Sequence, residues 1–149
     1  MSSIRSSALT AFASVVTRLG GSPGNLMSAA GIREDAWREP GSFVSFAAFA
    51  LLLELAAESL GCADFGQWLA DGQSVFTIGP LIFIAFGGST VCQAFHRLDR
   101  YLHHYVTGVR PMRCAGGKRE TMEIKLAFQM ELAFRYAQAG ELLLATAYK

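Results

Sequence analysis

At 149 residues the chain is long enough for one domain whose core needs neither a metal nor disulfides. With 52% hydrophobic and 17% charged residues it is more apolar than an average globular domain, which excludes disorder and predicts apolar surface left over for a ligand, a partner or a further segment. A net charge of +1 excludes broad electrostatic attraction to nucleic acid or anionic lipid.

In chain order, Ile4, Ala8, Ala11, Phe12, Val15 and Leu19 recur at helical spacing and predict one amphipathic helix from Ile4 to Leu19, stopped by Gly20-Gly21. Ser22 and Pro23 then offer an N-cap and a first helical residue for a short helix to Ala30. This Gly/Ser run lacks the lysine and hydroxyl of a phosphate-cradling loop. Residues 32–42 read as a helical turn and loop leading to Ser45, which caps a helix from Phe46 to Leu60. That helix is apolar on nearly every side, so its Leu51 and Leu55 face should pack under a second element or across an oligomer interface.

Gly61 ends the helix, and Asp64 is placed to cap a short one, Phe65 to Ala70, broken by Asp71-Gly72. Gly79-Pro80 opens Leu81 to Phe86, read as a buried helix, with a strand as the alternative because Ile82, Phe83 and Ile84 also suit a sheet. Ser89 is placed to cap a helix from Thr90 to Tyr105 with the apolar stripe Val91, Ala94, Phe95, Leu98, Leu102 and Tyr105. The period then changes to alternation: Val109 to Cys114, a turn at residues 115–118, and Thr121 to Met130 predict a hairpin. From Ala133 the helical period returns, grouping Tyr136, Gly140, Leu143, Leu144 and Ala147. The expected fold class is α+β: a single domain over residues 1–149, mostly helical, with an antiparallel β-hairpin or sheet.

The residues that could carry chemistry do not assemble into a known constellation. Cys62, Cys92 and Cys114 lie far apart without CxxC spacing, so no zinc site or disulfide framework is expected and a reducing cytoplasm fits. The opening MSSIRSSALTAFASVV lacks the apolar core and cleavage site of a secretory signal. Neither Phe46 to Leu60, interrupted by Glu54 and Glu58, nor Phe76 to Phe86 supplies the ~20 apolar residues of a bilayer span, so no membrane partner is expected.

His96 and His103 share a helix face but stand about 10 Å apart at 1.5 Å per residue, too far to chelate one ion, while His103 and His104 should diverge. With Gln93, Arg97 and Arg100 they read as a solvated stripe, so neither metal nor cofactor is expected. Glu54 and Glu58 read as an outward acidic edge for want of a partnering base or nucleophile. Arg110, Arg113, Lys118 and Arg119 gather at the hairpin, where charge commonly blocks edge pairing. Without a G-x-S-x-G, a Cys-His pair or a dinucleotide fingerprint, nothing calls for catalysis.

The stretch from Phe43 to Val109 carries an ordered set of parts. Phe43-Val44-Ser45 leads into the long helix, followed by Phe65-Gly66-Gln67-Trp68-Leu69-Ala70, Ile78-Gly79-Pro80-Leu81 and the helix ending in Arg100-Tyr101-Leu102-His103. This order resembles the effector-sensing N-terminal domain of AraC-type bacterial transcription regulators, the arabinose-binding-like branch. The resemblance implies a cytoplasmic regulator domain that senses a small-molecule effector, while promoters are bound by a C-terminal pair of helix-turn-helix motifs.

Nothing after Met130 reads as two basic recognition-helix units, so DNA contact is expected only through a domain outside this sequence, and the sensing domain is expected to continue past Lys149. The expected effector pocket is Trp68, Phe83, Phe86, Phe95 and Tyr101, with Arg100 as polar anchor. A homodimer is expected; in the rival reading the apolar faces serve only that dimer and no small molecule binds.

Overall fold

The structure, a computed structural model, describes residues 2–39, 41–114, 123–128 and 136–149, with the backbone alone for 110–114 and 123–128. Its elements in order are β1 (Ser3–Arg5), a 3₁₀ turn (Ser6–Leu9), α1 (Phe12–Arg18), α2 (Pro23–Ala29), a 3₁₀ turn (Ala36–Arg38), β2 (Phe43–Ser45) and α3 (Phe46–Leu60). They continue with α4 (Phe65–Gly72), a 3₁₀ turn (Val75–Ile78), α5 (Leu81–Phe86), α6 (Val91–Tyr101), a 3₁₀ turn (Leu102–His104), β3 (Val109–Cys114), β4 (Glu123–Phe128) and α7 (Ala137–Tyr148). The class is α+β, helices with short antiparallel pairs. The expected turn at 115–118, the outer residues of the second hairpin strand and the helix start at Ala133 lie outside the described residues.

The single helix expected from Ile4 to Leu19 is not formed, and its first part is extended. β1 pairs antiparallel with β2, Ser3 opposite Ser45 through Arg5 opposite Phe43. On its other edge Ile4 bridges Val106, the Arg5 N–H donates to the Tyr105 carbonyl at 2.8 Å, and the Thr107 N–H donates to the Ser3 carbonyl at 2.8 Å. Pairing on both edges satisfies backbone groups that the first turn of a helix would leave open, and the flanking serines compete further for them. The helix begins only after Ala11, held left-handed at φ 69°. The buried set survives this change, since Ile4, Ala8, Phe12 and Val15 all lie in the core.

α3 runs as the sequence predicts. The Ser45 hydroxyl accepts the Ala48 N–H at 3.4 Å, and the helix stops at Gly61. It is buried from several sides, packing on α2, α4 and α7, with Phe46, Phe49, Ala50, Leu52, Leu53 and Ala56 inaccessible and Leu55 packed against the core. Phe12 of α1 meets Phe65 of α4 edge to face at 5.9 Å. Neither Ser22 nor Asp64 makes a side-chain cap, and α4 continues through Asp71-Gly72 instead of ending at Ala70. α5 is a helix, which settles the strand alternative. Among the described residues no single helix is long and apolar enough to cross a membrane.

α7 is fastened to the α3–α4 corner by Gln138, a buried polar residue. Its side-chain oxygen accepts the Gly66 N–H at 2.8 Å, and its amide nitrogen donates to the Ala63 carbonyl at 2.7 Å. Those two bonds fix which way the amide points. The Glu54 carboxylate accepts the backbone N–H of Gln138 at 2.9 Å, placing negative charge at the α7 N-terminus, where the helix dipole favours it. The expected outward acidic edge is therefore half correct: Glu58 is exposed, but Glu54 caps another helix. Burial, then the neighbouring Asp64 and Glu54 carboxylates, hold the Glu141 carboxyl above its ordinary range. The α7 face is rotated from the one expected, with Gln138, Ala139 and Leu142 buried and Leu144 exposed.

Candidate functional site

α6 is strongly two-sided in sequence, yet none of its residues is fully buried. Its cap is Thr90 rather than Ser89: the Thr90 hydroxyl accepts the Gln93 N–H at 3.2 Å, while the Gln93 side chain accepts the Ser89 N–H at 3.0 Å. The cap lies one residue later than expected, and the Gln93 side chain satisfies the N–H of the residue before it rather than that of Thr90, a variant of the capping box. The helix gives way at Tyr101 to a 3₁₀ turn, so Tyr105, expected to end it, lies beyond it and is buried. At the bend between α5 and α6 a Cβ on Gly88 would lie 2.7 Å from the Ala94 nitrogen, so glycine lets the two helices close on each other.

Between this α5–α6 hairpin and the rest of the domain lies a cleft of about 380 Å³, within the usual range of small-molecule sites. The hairpin contributes Ile82, Ala85, Phe86, Ala94, Phe95 and Leu98. Opposite stand Ile4 of β1, Ala8, and the segment Tyr105, Val106 and Val109, while α7 adds Leu142, Leu143, Thr146 and Ala147. Phe95, Leu98 and Leu102 are half-buried and line this opening, and Leu98 and Leu102 also pack against the core.

Polar groups on the wall are few; Gln73, Thr146 and Lys149 are each partly engaged, and Tyr148 is exposed. Gln73 donates its side-chain N–H groups to the carbonyls of Ala8 at 2.7 Å and Thr10 at 3.0 Å. The Thr146 hydroxyl donates to the Leu142 carbonyl at 2.7 Å, and Lys149 donates to the carbonyls of Ala70 and Gln73 at the C-terminal end of α4. Burial pushes the Tyr105 hydroxyl up to about 12, against the smaller opposing pulls of the Ser7 hydroxyl and Arg5. A tyrosine raised from its ordinary 10 when folded lends stability that is complete below pH 10 and lost as pH climbs toward 12. Melting curves between pH 9 and 12 should therefore show the parent losing stability that Tyr105→Phe retains; parallel losses would contradict this.

The six residues expected to form the effector site do not converge. Phe86 and Phe95 line the cleft; Trp68, Phe83, Arg100 and Tyr101 do not. Trp68 lies on α4 under the Arg18 guanidinium, 5.2 Å from its ring centroid. Phe83 is 71% exposed on the outer side of α5, and Arg100 and Tyr101 sit on the wet side of α6 and its end. Leu98, Leu102 and Tyr105 were visible in the expected apolar stripe, whereas Ile4, Leu142 and Val106 reach the cleft through tertiary pairing that periodicity does not encode.

The remaining candidates assemble no competing centre. His96, Arg97, Arg100 and His103 are exposed, as expected of a solvated stripe, but His103 and His104 do not diverge: the 3₁₀ turn brings their rings to 4.0 Å. Among the described residues no three histidine, cysteine or acidic side chains cluster as metal ligands. Lys118 and Arg119 lie outside the described residues, and only the β3 backbone positions of Arg110 and Arg113 are described. A second depression of about 270 Å³ holds Arg33, but that guanidinium is already paired with Asp35 at 2.9 Å and Glu39 at 3.6 Å.

The apolar cleft beneath the α5–α6 hairpin is thus the principal candidate site among the described residues of this helical α+β domain. The model of the arabinose-binding N-terminal domain of AraC transcription regulators matches residues 20–148, and the chain belongs to this family. The HTH-type transcriptional regulator VirS of Mycobacterium tuberculosis, from strains CDC 1551 / Oshkosh and ATCC 25618 / H37Rv, is 30% identical over 100 residues. That match covers 67% of this chain and 29% of the relative, so the chain spans only a part of such a regulator's length.

Proposed function

We propose that the chain is the effector-sensing domain of a cytoplasmic AraC-type regulator, with a small molecule seated in the cleft beneath the α5–α6 hairpin. The observation that carries this reading is α6, an amphipathic helix that packs on α5 and has no fully buried residue, its apolar side lining the cleft. An effector completing that packing favours one placement of the hairpin and of α7 over others. A helix-turn-helix domain outside this sequence would read that population shift, and DNA contact belongs to that domain.

A ligand at a hundred times its Kd stabilises the folded state by about 2.7 kcal/mol, which for a domain of this size raises the melting temperature by roughly 5 to 10 °C. Thermal-shift screening across sugars, amino acids, nucleotides, aromatic acids and aliphatic acids should find at least one such stabiliser, and none across all classes would overturn the reading. Neither Trp37 nor Trp68 lines the cleft, so intrinsic fluorescence is a poor reporter of occupancy. A second reading is favoured by three exposed rings, Phe76 at 63%, Phe83 at 71% and Phe86 at 69%, which suit a homodimer interface. Sedimentation across a concentration series separates that reading from a purely monomeric sensor.

A further inference from the structure

The family description names a sugar, but the wall of this cleft does not suit one. A pentose presents hydroxyls around its whole ring, and each one buried without a hydrogen-bond partner is penalised. Here the hairpin side offers Ile82, Ala85, Ala94, Phe95 and Leu98, none with a side-chain donor or acceptor. The polar side chains that do reach the cleft gather mainly at one end, where Lys149 bonds the Gln73 carbonyl at 3.0 Å and Thr146 stands on the same end of α7. Both Gln73 side-chain N–H groups are spent on the Ala8 and Thr10 carbonyls. The Thr146 hydroxyl hydrogen is spent on Leu142, and two Lys149 hydrogens are spent on the Ala70 and Gln73 carbonyls. What remains is a volume walled mostly by hydrocarbon, with spare hydrogen-bonding capacity in the third Lys149 N–H, the lone pairs of Thr146, the Tyr148 hydroxyl and the Gln73 side-chain oxygen.

We infer that the effector is a mostly hydrocarbon small molecule with a single polar end, lying against the α6 stripe with that end toward Thr146 and Lys149. The inference rests on the sensor reading and sharpens it, since it says which class of molecule the cleft admits and which it rejects. It also commits to a free small molecule as occupant: the walls come from β1, the 3₁₀ turn Val75–Ile78, α5, α6 and α7, which surround a bounded volume rather than present one flat helix face.

The test is calorimetric titration of the chain with decanoate, kept below its micelle threshold, and with L-arabinose. It is repeated on Ala147→Trp, which puts an indole into the cleft from an exposed position, and on Ala94→Trp, which does so from the half-buried wall. The expected result is saturable one-to-one decanoate binding at least tenfold tighter than arabinose, lost in Ala147→Trp while that variant keeps the parent's far-ultraviolet spectrum. Ala94→Trp should lose it too if it folds, and Ala147→Trp carries the test if it does not. Arabinose binding more tightly than decanoate, with the same loss in Ala147→Trp, would overturn the inference and leave the sensor reading standing. Decanoate binding that survives both substitutions would place it on the outer phenyl rings and overturn the inference. Binding of neither probe, with self-association that Ala147→Trp abolishes, would make a second copy of the chain the occupant and remove both readings.

Discussion

Replacing Gly66 by alanine is expected to destabilise the domain by about 3 kcal/mol or more, as an overpacked core does when the obstacle is backbone. A methyl built at this position lies 2.2 Å from the Gln138 carbonyl oxygen and 3.1 Å from its carbonyl carbon. Neither atom can rotate aside. α7 must lift from α4, and the lift pulls on the Gly66 N–H bond to the Gln138 side chain at 2.8 Å. Equilibrium urea unfolding followed by circular dichroism measures the loss. Gly41→Ala is the control, because a methyl there meets open space and should stay within about 0.5 kcal/mol of the parent. Equal effects at the two positions would show that α7 does not pack as closely as described.

The same corner shows what could be read from the residues and what could not. Periodicity places α3, its Ser45 cap and its end at Gly61, because those features depend on residues within a few positions of each other. It also finds the buried side of the first segment, Ile4, Ala8, Phe12 and Val15. It assigns that segment the wrong backbone, because the partners that make Ser3–Arg5 a strand come from Phe43–Ser45 and Val106, far along the chain. Glu54 fails to read as a cap for the same reason: the N–H it accepts belongs to Gln138, 84 residues away. A lone glutamine in an apolar stretch carries no local sign that its amide bridges two backbone segments.

The candidate site was legible on one side only. The stripe of Ala94, Phe95 and Leu98 on α6, continued by Leu102 in the 3₁₀ turn, could be read directly, and it forms a wall of the cleft. Of the other residues selected for the site, Phe86 lines this cleft and Trp68, Phe83, Arg100 and Tyr101 do not, since residue type says nothing of which way a helix faces. Phe83 stands three positions before Phe86 on a short helix, yet only Phe86 reaches the cleft rim. The opposite wall is aliphatic and comes from β1, the Tyr105–Val109 segment and α7, whose register depends on the Gln138 and Gly66 contacts.

Substituting Gln138 by leucine should cost about 2 to 3 kcal/mol, mostly because the buried Gly66 N–H is left without an acceptor. The Ala63 carbonyl, on an exposed residue, can turn to water and contributes less. Leucine keeps the volume, so the loss reports the hydrogen bonds rather than a cavity. Gln138→Glu separates the two bonds: one carboxylate oxygen can still accept the Gly66 N–H, but nothing remains to donate to Ala63. That carboxyl would also join Glu54, Asp64 and Glu141, whose mutual repulsion already helps hold the Glu141 carboxyl high. An acid whose folded pKa is raised costs stability as pH rises through its titration, so Gln138→Glu should approach the parent near pH 4 and fall behind it by pH 7. Gln138→Leu should trail the parent by a similar margin at both. Because α7 supplies Leu142, Leu143 and Thr146 to the cleft, either variant should also shrink the melting-temperature rise produced by a cleft ligand. An undiminished rise in a destabilised Gln138→Leu would mean that the anchored end of α7 and its cleft-lining end act independently, and would remove α7 from the path between effector and DNA-binding domain.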